Sequence, residues 1–168
     1  MRILGIDPGY AITGFGVLTY HQNTFHVLDF GVIKTSSKTA FPERLLAIDE
    51  AVTTLIDEYA PDCVAVEELF FSRNITTAIG TAQARGVAIV TAARAGLPVY
   101  EYTPMQVKVA VTGYGRAVKR QVQEMVRVLL NLKELPKPDD AADALAVAIC
   151  HAHSGNRDSA LAVGGHNV

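Results

Sequence analysis

Residues 1–18, MRILGIDPGYAITGFGVL, begin with a short apolar run, Ile3, Leu4 and Ile6, that ends on a single carboxylate, Asp7. Pro8-Gly9 stops the run with strong turn signals, and a second apolar run, Phe15 to Leu18, begins a few residues later. Two antiparallel strands of a hairpin follow from this pattern, with Asp7 near the end of the first. A charge inside a buried strand is costly unless a cation or several hydrogen bonds compensate it. The plainer alternative is an Asp that makes a turn with Pro8-Gly9, as Asp commonly does. The rest of the chain decides between the two.

Outward from the hairpin, Thr24 to Ile33 predicts a third strand, reached through a turn at His21-Gln22-Asn23. Three strands with short connections make an antiparallel meander. Then the period changes: Leu45, Ile48, Val52, Leu55, Ile56 and Tyr59 recur at helical spacing from Pro42 to Tyr59, and Pro61 ends that helix. Cys63 to Val66 is a short buried strand followed directly by Glu67. After a loop, Phe70 to Asn74, an Ala-, Gly- and Thr-rich helix is expected from Ile75 to Ala95, closed by Gly96. Pro98 to Tyr102 is the fifth strand, and Thr103-Pro-Met-Gln106 carries a capping box with proline at the first helical position. A Gly113-Tyr-Gly115 loop leads to a helix with Val118, Val122, Val126, Leu129 and Leu130 on one face, and Asp139 to His153 is the last helix. The order predicts an α/β domain over residues 1–154, a five-stranded mixed sheet flanked by helices, its first three strands antiparallel and the rest parallel. Residues 155–168 lose the periodicity and read as a flexible tail.

A length of 168 residues suits one domain with a sizeable core. No apolar run approaches the ~20 residues of a membrane helix, and the N-terminus enters a strand without a signal-peptide pattern, so a cytoplasmic protein is expected. Cys63 and Cys150 sit among Val, Ala and Ile and read as buried reduced thiols, not a zinc site. A net charge of −2 excludes a polycation, although a local basic patch is enough to bind nucleic acid.

Four acids stand where apolar residues or caps would be expected. Asp7 and Glu67 flank short core strands, and right-handed crossovers can bring those strands side by side. Asp140 and Asp143 are three apart in the last helix and share a face. Converging without cations, four carboxylates would raise one another's pKa values. Hard divalent ions remove the conflict, because Mg²⁺ takes oxygen ligands and completes its shell with water and phosphate oxygens. A two-ion site can activate a water and stabilise the leaving oxygen of a phosphodiester. Spacing leaves alternatives open: Asp139 pairs with Asp143 at i and i+4, Glu68 stands beside Glu67, Asp139 or Asp140 could cap a helix, and Glu67 could pair with an arginine.

Between Thr103 and Lys133 the cations Lys108, Arg116, Lys119, Arg120, Arg127 and Lys133 face one anion, Glu124. Such a stripe suits phosphate binding, though a single lysine there is as well explained by a solvated helix face. Arg73, Arg85 and Arg94 add charge around the central helix. Phe70 and Phe71 precede Ser-Arg-Asn just past Glu67; Phe71 is the better core candidate, whereas an exposed aromatic beside a cation could unstack a base step. His151 and His153 are expected to cap the last helix or face solvent.

Taken in order, Gly5-Ile-Asp-Pro-Gly9, Val66-Glu-Glu-Leu-Phe70, Gln83-Ala-Arg-Gly-Val87, Glu101-Tyr102 with Gln106-Val-Lys108, and Asp140-Ala-Ala-Asp-Ala-Leu145 resemble the RuvC family, bacterial Holliday-junction endonucleases with an RNase H-like fold. The match runs from Met1 to about His153. The resemblance implies metal-binding, catalytic acids at Asp7, Glu67, Asp140 and Asp143; some members have His at the third position. It implies junction-binding roles for Phe70, as a wedge near the crossover, and for Lys108 and Lys119; Arg73 joins them as a cation of the same loop, and Arg116 and Arg120 sit beside family basic positions. It further implies Mg²⁺, two ions per subunit with Mn²⁺ as a substitute, a homodimer, a four-way DNA junction as substrate, and the RuvA–RuvB branch-migration motor as partner. The Ala/Gly-rich helix with Gln83 and Arg85 is the candidate dimer surface.

Two other functions compete. Gly-Ile-Asp-x-Gly also opens the actin-like ATPase fold, but that fold needs a second similar domain and a second phosphate loop, for which 168 residues leave no room. A non-cutting junction-binding module would be expected to have lost one of the four acids, and all four are present.

Overall fold

The computed structural model describes residues 1–68 and 75–154, with side chains of the second helix from residue 77 onward. Ten elements follow one another: β1 (Arg2–Asp7), β2 (Ile12–His21), β3 (Thr24–Lys34), α1 (Phe41–Tyr59), β4 (Cys63–Glu67), α2 (Ile75–Arg94), β5 (Val99–Tyr102), α3 (Pro104–Thr112), α4 (Lys119–Leu129) and α5 (Asp139–Ser154). The five strands form one sheet in the order β3-β2-β1-β4-β5. β1, β2 and β3 are antiparallel neighbours, and β4 and β5 join them in parallel on the other side of β1.

The turn at Gln22-Asn23 puts both residues at positive φ, 47° and 62°, the pair that a tight two-residue hairpin with right-handed twist requires. β2 begins at Ile12, three residues earlier than the apolar run suggests. Gly14 carries no apolar signal because what packs on it is the α5 backbone at Asp140, and the buried Thr13 hydroxyl donates to the Gly9 carbonyl.

Alternation along the strands divides the core in two. Leu4, Ile6, Val17, Val64 and Val66 face α1 and α2, against Ile48, Val52, Ala84 and Ala88. Ile3, Leu18, Cys63, Ala65 and Tyr102 face α3, α4 and α5. α5 is buried almost all round from Ala141 to Ala152, the composition expected of a helix in the middle of a core. It lies directly on the sheet over glycines. A Cβ at Gly5 would come 2.2 Å from the Ala144 carbonyl, at Gly14 2.0 Å from that of Asp140, and at Gly16 2.7 Å from Leu145 Cδ2. Only hydrogen-sized side chains allow this approach, and the approach sets the height of Asp140 and Asp143 above β1.

One expectation fails in the core. His151 neither caps α5 nor faces solvent; it is 1% exposed. Tyr102 Oη lies 2.7 Å from its Nδ1 and Cys63 Sγ 3.1 Å from its Nε2, and burial lowers its pKa from 6.5 to about 4. The last turn of α5 is still under β4 and β5, so a polar ring there is kept by partners on the sheet. His153 is exposed, with Nδ1 3.1 Å from the Ala110 carbonyl. Cys63 and Cys150 are buried free thiols whose pKa values burial pushes up to about 12.

Candidate active site

Strand register assembles the site. Asp7 pairs with Gly14 of β2. Ile6 pairs in parallel with Val66, so Asp7 and Glu67 are the next residues of adjacent strands, and Glu67 in turn pairs with Tyr102. Both carboxylates therefore stand on the face that α5 covers. α5 begins over Gly14, where the Asp140 backbone rests, and one turn later presents Asp143.

The electrostatics are those of acids with too little positive charge. Desolvation raises the pKa of Asp7, and the charges of Glu67, Asp143 and Asp140 raise it further; a hydrogen bond joins Asp7 to Glu67. Glu67 is raised by burial and by Asp143, against the pull of Asp7, Lys119 and Lys108. Asp143 is raised by burial, against Lys119. Like charges close together share protons when no cation separates them, so Asp7 holds the proton of the pair and Glu67 accepts it.

Asp7 is thus a strand residue in a carboxylate cluster, not a turn maker. Among the described residues no arginine pairs with the Glu67 carboxylate: the Arg85 guanidinium forms an ion pair with Glu101, and its Nε reaches only the Glu67 carbonyl at 3.4 Å. Glu68 follows β4, its amide bonded to the Tyr102 carbonyl at 2.9 Å, and its side chain belongs to the opposite face. Asp139 is exposed at the start of α5.

Lys119, the first residue of α4, reaches into the cluster, with Nζ 2.9 Å from Asp143 Oδ2 and 3.4 Å from Asp139 Oδ2. Burial works to lower its pKa, but Asp143 and Asp139 outweigh this and raise it. Lys108 comes from α3, whose Thr103 cap and Gln106 form the expected capping box, with bonds of 3.1 and 2.8 Å. Glu67, Lys108, Lys119 and Asp143 line one cleft of about 170 Å³ with Pro104, Val107, Val122 and Ala146. Arg116 is exposed on the loop before α4, and Arg120 is paired with Glu124 at 2.9 Å. Phe70, Phe71, Arg73 and the tail 155–168 lie outside the described residues.

The donor set fits a hard divalent cation: every candidate ligand is a carboxylate oxygen, and the retained protons mark where positive charge is short. As the side chains stand, with Asp7 bonded to Glu67 and Lys119 on Asp143, no three His, Cys, Asp or Glu among the described residues close on a common point. A cation entering here would compete with Lys119 for Asp143 and with the Asp7–Glu67 hydrogen bond for Asp7.

Sequence patterns did not announce three supports. His151 carried only helix periodicity. Arg85 and Glu101 stand in two of the quoted motifs, but nothing in their spacing pairs them with each other. Arg44, on the buried face of α1, braces the loop after Asp7: Nε donates to Thr35 Oγ1 at 2.9 Å, Nη2 to the Tyr10 carbonyl at 3.2 Å, and its guanidinium lies 4.6 Å from the Tyr10 ring centroid. A charge at a core position of a helical repeat was the available signal.

An RNase H-like sheet with acids on β1, β4 and α5, beside two lysines in a cleft, defines a metal-dependent phosphodiester hydrolase. Comparison with known proteins narrows the class. The family model for crossover junction endodeoxyribonuclease RuvC matches residues 3–151. The RuvC of Alkaliphilus metalliredigens is 60% identical over 163 residues, 97% of this chain and 99% of that protein; that of Desulfitobacterium hafniense is 59% identical over 93% of this chain and 94% of that protein. The structure of Thermus thermophilus RuvC in complex with Holliday junction substrate superposes with a TM-score of 0.88 at 42% identity, covering 92% of this chain and 94% of that one. The chain belongs to the RuvC family, the crossover junction endodeoxyribonucleases. Its chemistry is hydrolysis of DNA phosphodiesters at crossovers, and membership implies use of a divalent metal.

Proposed function

We propose that this chain resolves four-way DNA junctions through Asp7, Glu67, Asp140 and Asp143 as the ligands of two Mg²⁺ ions per subunit. The observation that carries the assignment is the placement of Asp7 and Glu67 at neighbouring positions of β1 and β4, under the helix that bears Asp143. Held by these carboxylates, the ions would supply activation of a water and charge stabilisation for the departing 3′ oxygen. Asp7, which feels the charges of Glu67, Asp143 and Asp140, would hold the ions together with Glu67 and Asp143, and Asp140 is held against Gly14 at the edge. Lys108 and Lys119 neutralise the phosphate that enters the cleft, and Lys119 exchanges Asp143 for substrate oxygen as it does so. Water adds to phosphorus as the bond to O3′ breaks, which leaves 5′-phosphate and 3′-hydroxyl ends.

Two symmetric nicks need two identical sites, which a two-fold dimer supplies. α1 and α2 support this arrangement with an apolar groove of about 550 Å³ lined by Leu45, Leu46, Val87 and Val90, on the side of the sheet away from the acids. Leu46 and Val90 are more than half exposed, as expected of side chains that a second copy covers. Family membership extends the proposal to the RuvA–RuvB motor as partner, and to Phe70 and Arg73 as junction contacts. No described helix is long and apolar enough to cross a membrane.

The test compares wild type with Asp7→Asn on a synthetic four-way junction and on linear duplex, with Mg²⁺ and with chelator. Paired nicks in the junction alone, absent in Asp7→Asn while its gel shift persists, are expected. A wild type that binds junctions without ever cutting them would favour a binding module.

A further inference from the structure

α3 turns two different faces outward. Pro104, Val107 and Lys108 line the acid cleft, whereas Met105 and Val109, one helical turn apart, are 66% and 48% exposed. The loop after α3 rests on this second face: a Cβ at Gly115 would lie 3.2 Å from Met105 Cγ and 3.3 Å from Val109 Cγ2. The loop is held in shape by Gly113 at φ 73° and by Thr112, whose Oγ1 accepts from the Tyr114 amide at 3.1 Å. At its tip Tyr114 is 56% exposed. Arg116 follows it, exposed and without an ion-pair partner among the described residues. On the other side of Tyr114 a groove of about 360 Å³ runs past Ala117, Gln121 and Met125 to Arg120.

An apolar shelf on a solvent-facing loop is unfavourable unless something covers it. Two arguments select the occupant. The shelf is continuous, around one helix, with the cleft that takes the scissile phosphate. Its border is positive, with Lys108 on one side and Arg116 on the other, while Glu124 at the far end of the groove is already occupied by Arg120 and Arg127. A surface that alternates apolar carbon with cations that form no ion pair among the described residues matches the DNA backbone, in which deoxyribose carbon faces alternate with phosphates.

We propose that Met105, Val109 and Tyr114, with Arg116, form a backbone subsite for one arm of the DNA, outside the acid cleft. Deoxyribose packs on the three apolar side chains while Arg116 takes the next phosphate. This deepens the junction-resolving assignment and rests on it. The subsite holds the arm at a fixed angle to the acids without touching the reacting atoms, and Tyr114 acts here independently of Phe70.

The experiment uses full-length protein carrying Asp7→Asn as parent, so that binding is read without cutting. Tyr114→Ser and Arg116→Gln are added separately, and junction affinity is measured from low to physiological salt. Tyr114→Ser is expected to weaken binding about three- to ten-fold with the salt slope unchanged, because an apolar contact releases no counterion. Arg116→Gln is expected to reduce the slope of log K against log salt by about 1. Hydroxyl-radical footprinting, which reads access to deoxyribose hydrogens, should lose protection at a few nucleotides of one arm in Tyr114→Ser only. Unchanged affinity and footprint in Tyr114→Ser would overturn the subsite, whatever Arg116→Gln does. A parent that ignores junctions would instead remove the resolvase assignment on which the subsite depends.

Discussion

Asp7 shows how a single residue can be selected against stability. Its carboxyl sits in the core among three other acids and retains a proton that the unfolded chain would release near pH 4. Stability without metal is therefore expected to fall as the pH climbs above about 4, since the unfolded state ionises first. Asp7→Asn removes the conflict while keeping the shape. The variant should melt higher than wild type in chelator, by on the order of 1–2 kcal/mol, and the difference should shrink or reverse when Mg²⁺ is added. Thermal denaturation of both proteins with and without the ion checks this; a less stable Asp7→Asn in chelator would mean that the acids do not repel. His151 works in the opposite direction. Its folded pKa is lowered from 6.5 to about 4 by burial, so the unfolded state takes up a proton first as the pH falls. Its contribution is complete above about 6.5 and is lost toward pH 4, amounting to roughly 3 kcal/mol at most. His151→Gln should flatten that part of the stability–pH curve while leaving the part governed by the acid cluster.

Among the elements, α5 carries the design. It is an alanine-rich helix pressed on glycines of β1 and β2, and its first two turns deliver Asp140 and Asp143 to the end of a sheet whose own acids stand one register step past the last pair between β1 and β4, Ile6 with Val66. Gly14→Ala would set a methyl group 2.0 Å from the Asp140 carbonyl, and no side chain can yield there because the clash is with backbone. The expected result is a loss of about 2–3 kcal/mol from overpacking, together with a drop in cutting larger than the drop in junction binding, because Asp140 and Asp143 move while Lys108 and Arg116 do not. Equal losses in both would show that the whole interface, and not α5 alone, had shifted.

At the scale of the molecule, the sheet separates two tasks. One face holds the acids and lysines; the other packs α1 and α2, whose outer groove suits a second copy. Val90→Asp, at the exposed edge of that groove, is expected to yield monomer by sedimentation and to replace paired nicks by single ones, with little change in the melting temperature of the subunit. A dimer of undiminished mass would move the interface elsewhere.

Much of this was legible in order along the chain: the hairpin, the switch from period two to period 3.6, the capping box at Thr103, and four acids at apolar positions are local signals, and local signals survive in sequence. The family motifs chose between Asp139 and Asp140 and between Glu67 and Glu68, where spacing alone could not. What the tertiary structure decided was pairing across distance. Which strand neighbours β1, which face Glu67 takes, that Arg85 answers Glu101 and not Glu67, and that His151 is locked between Tyr102 and Cys63 all depend on register and on helix height above the sheet. Those are set by close packing of residues far apart in the chain, and no short-range pattern encodes the distance between them.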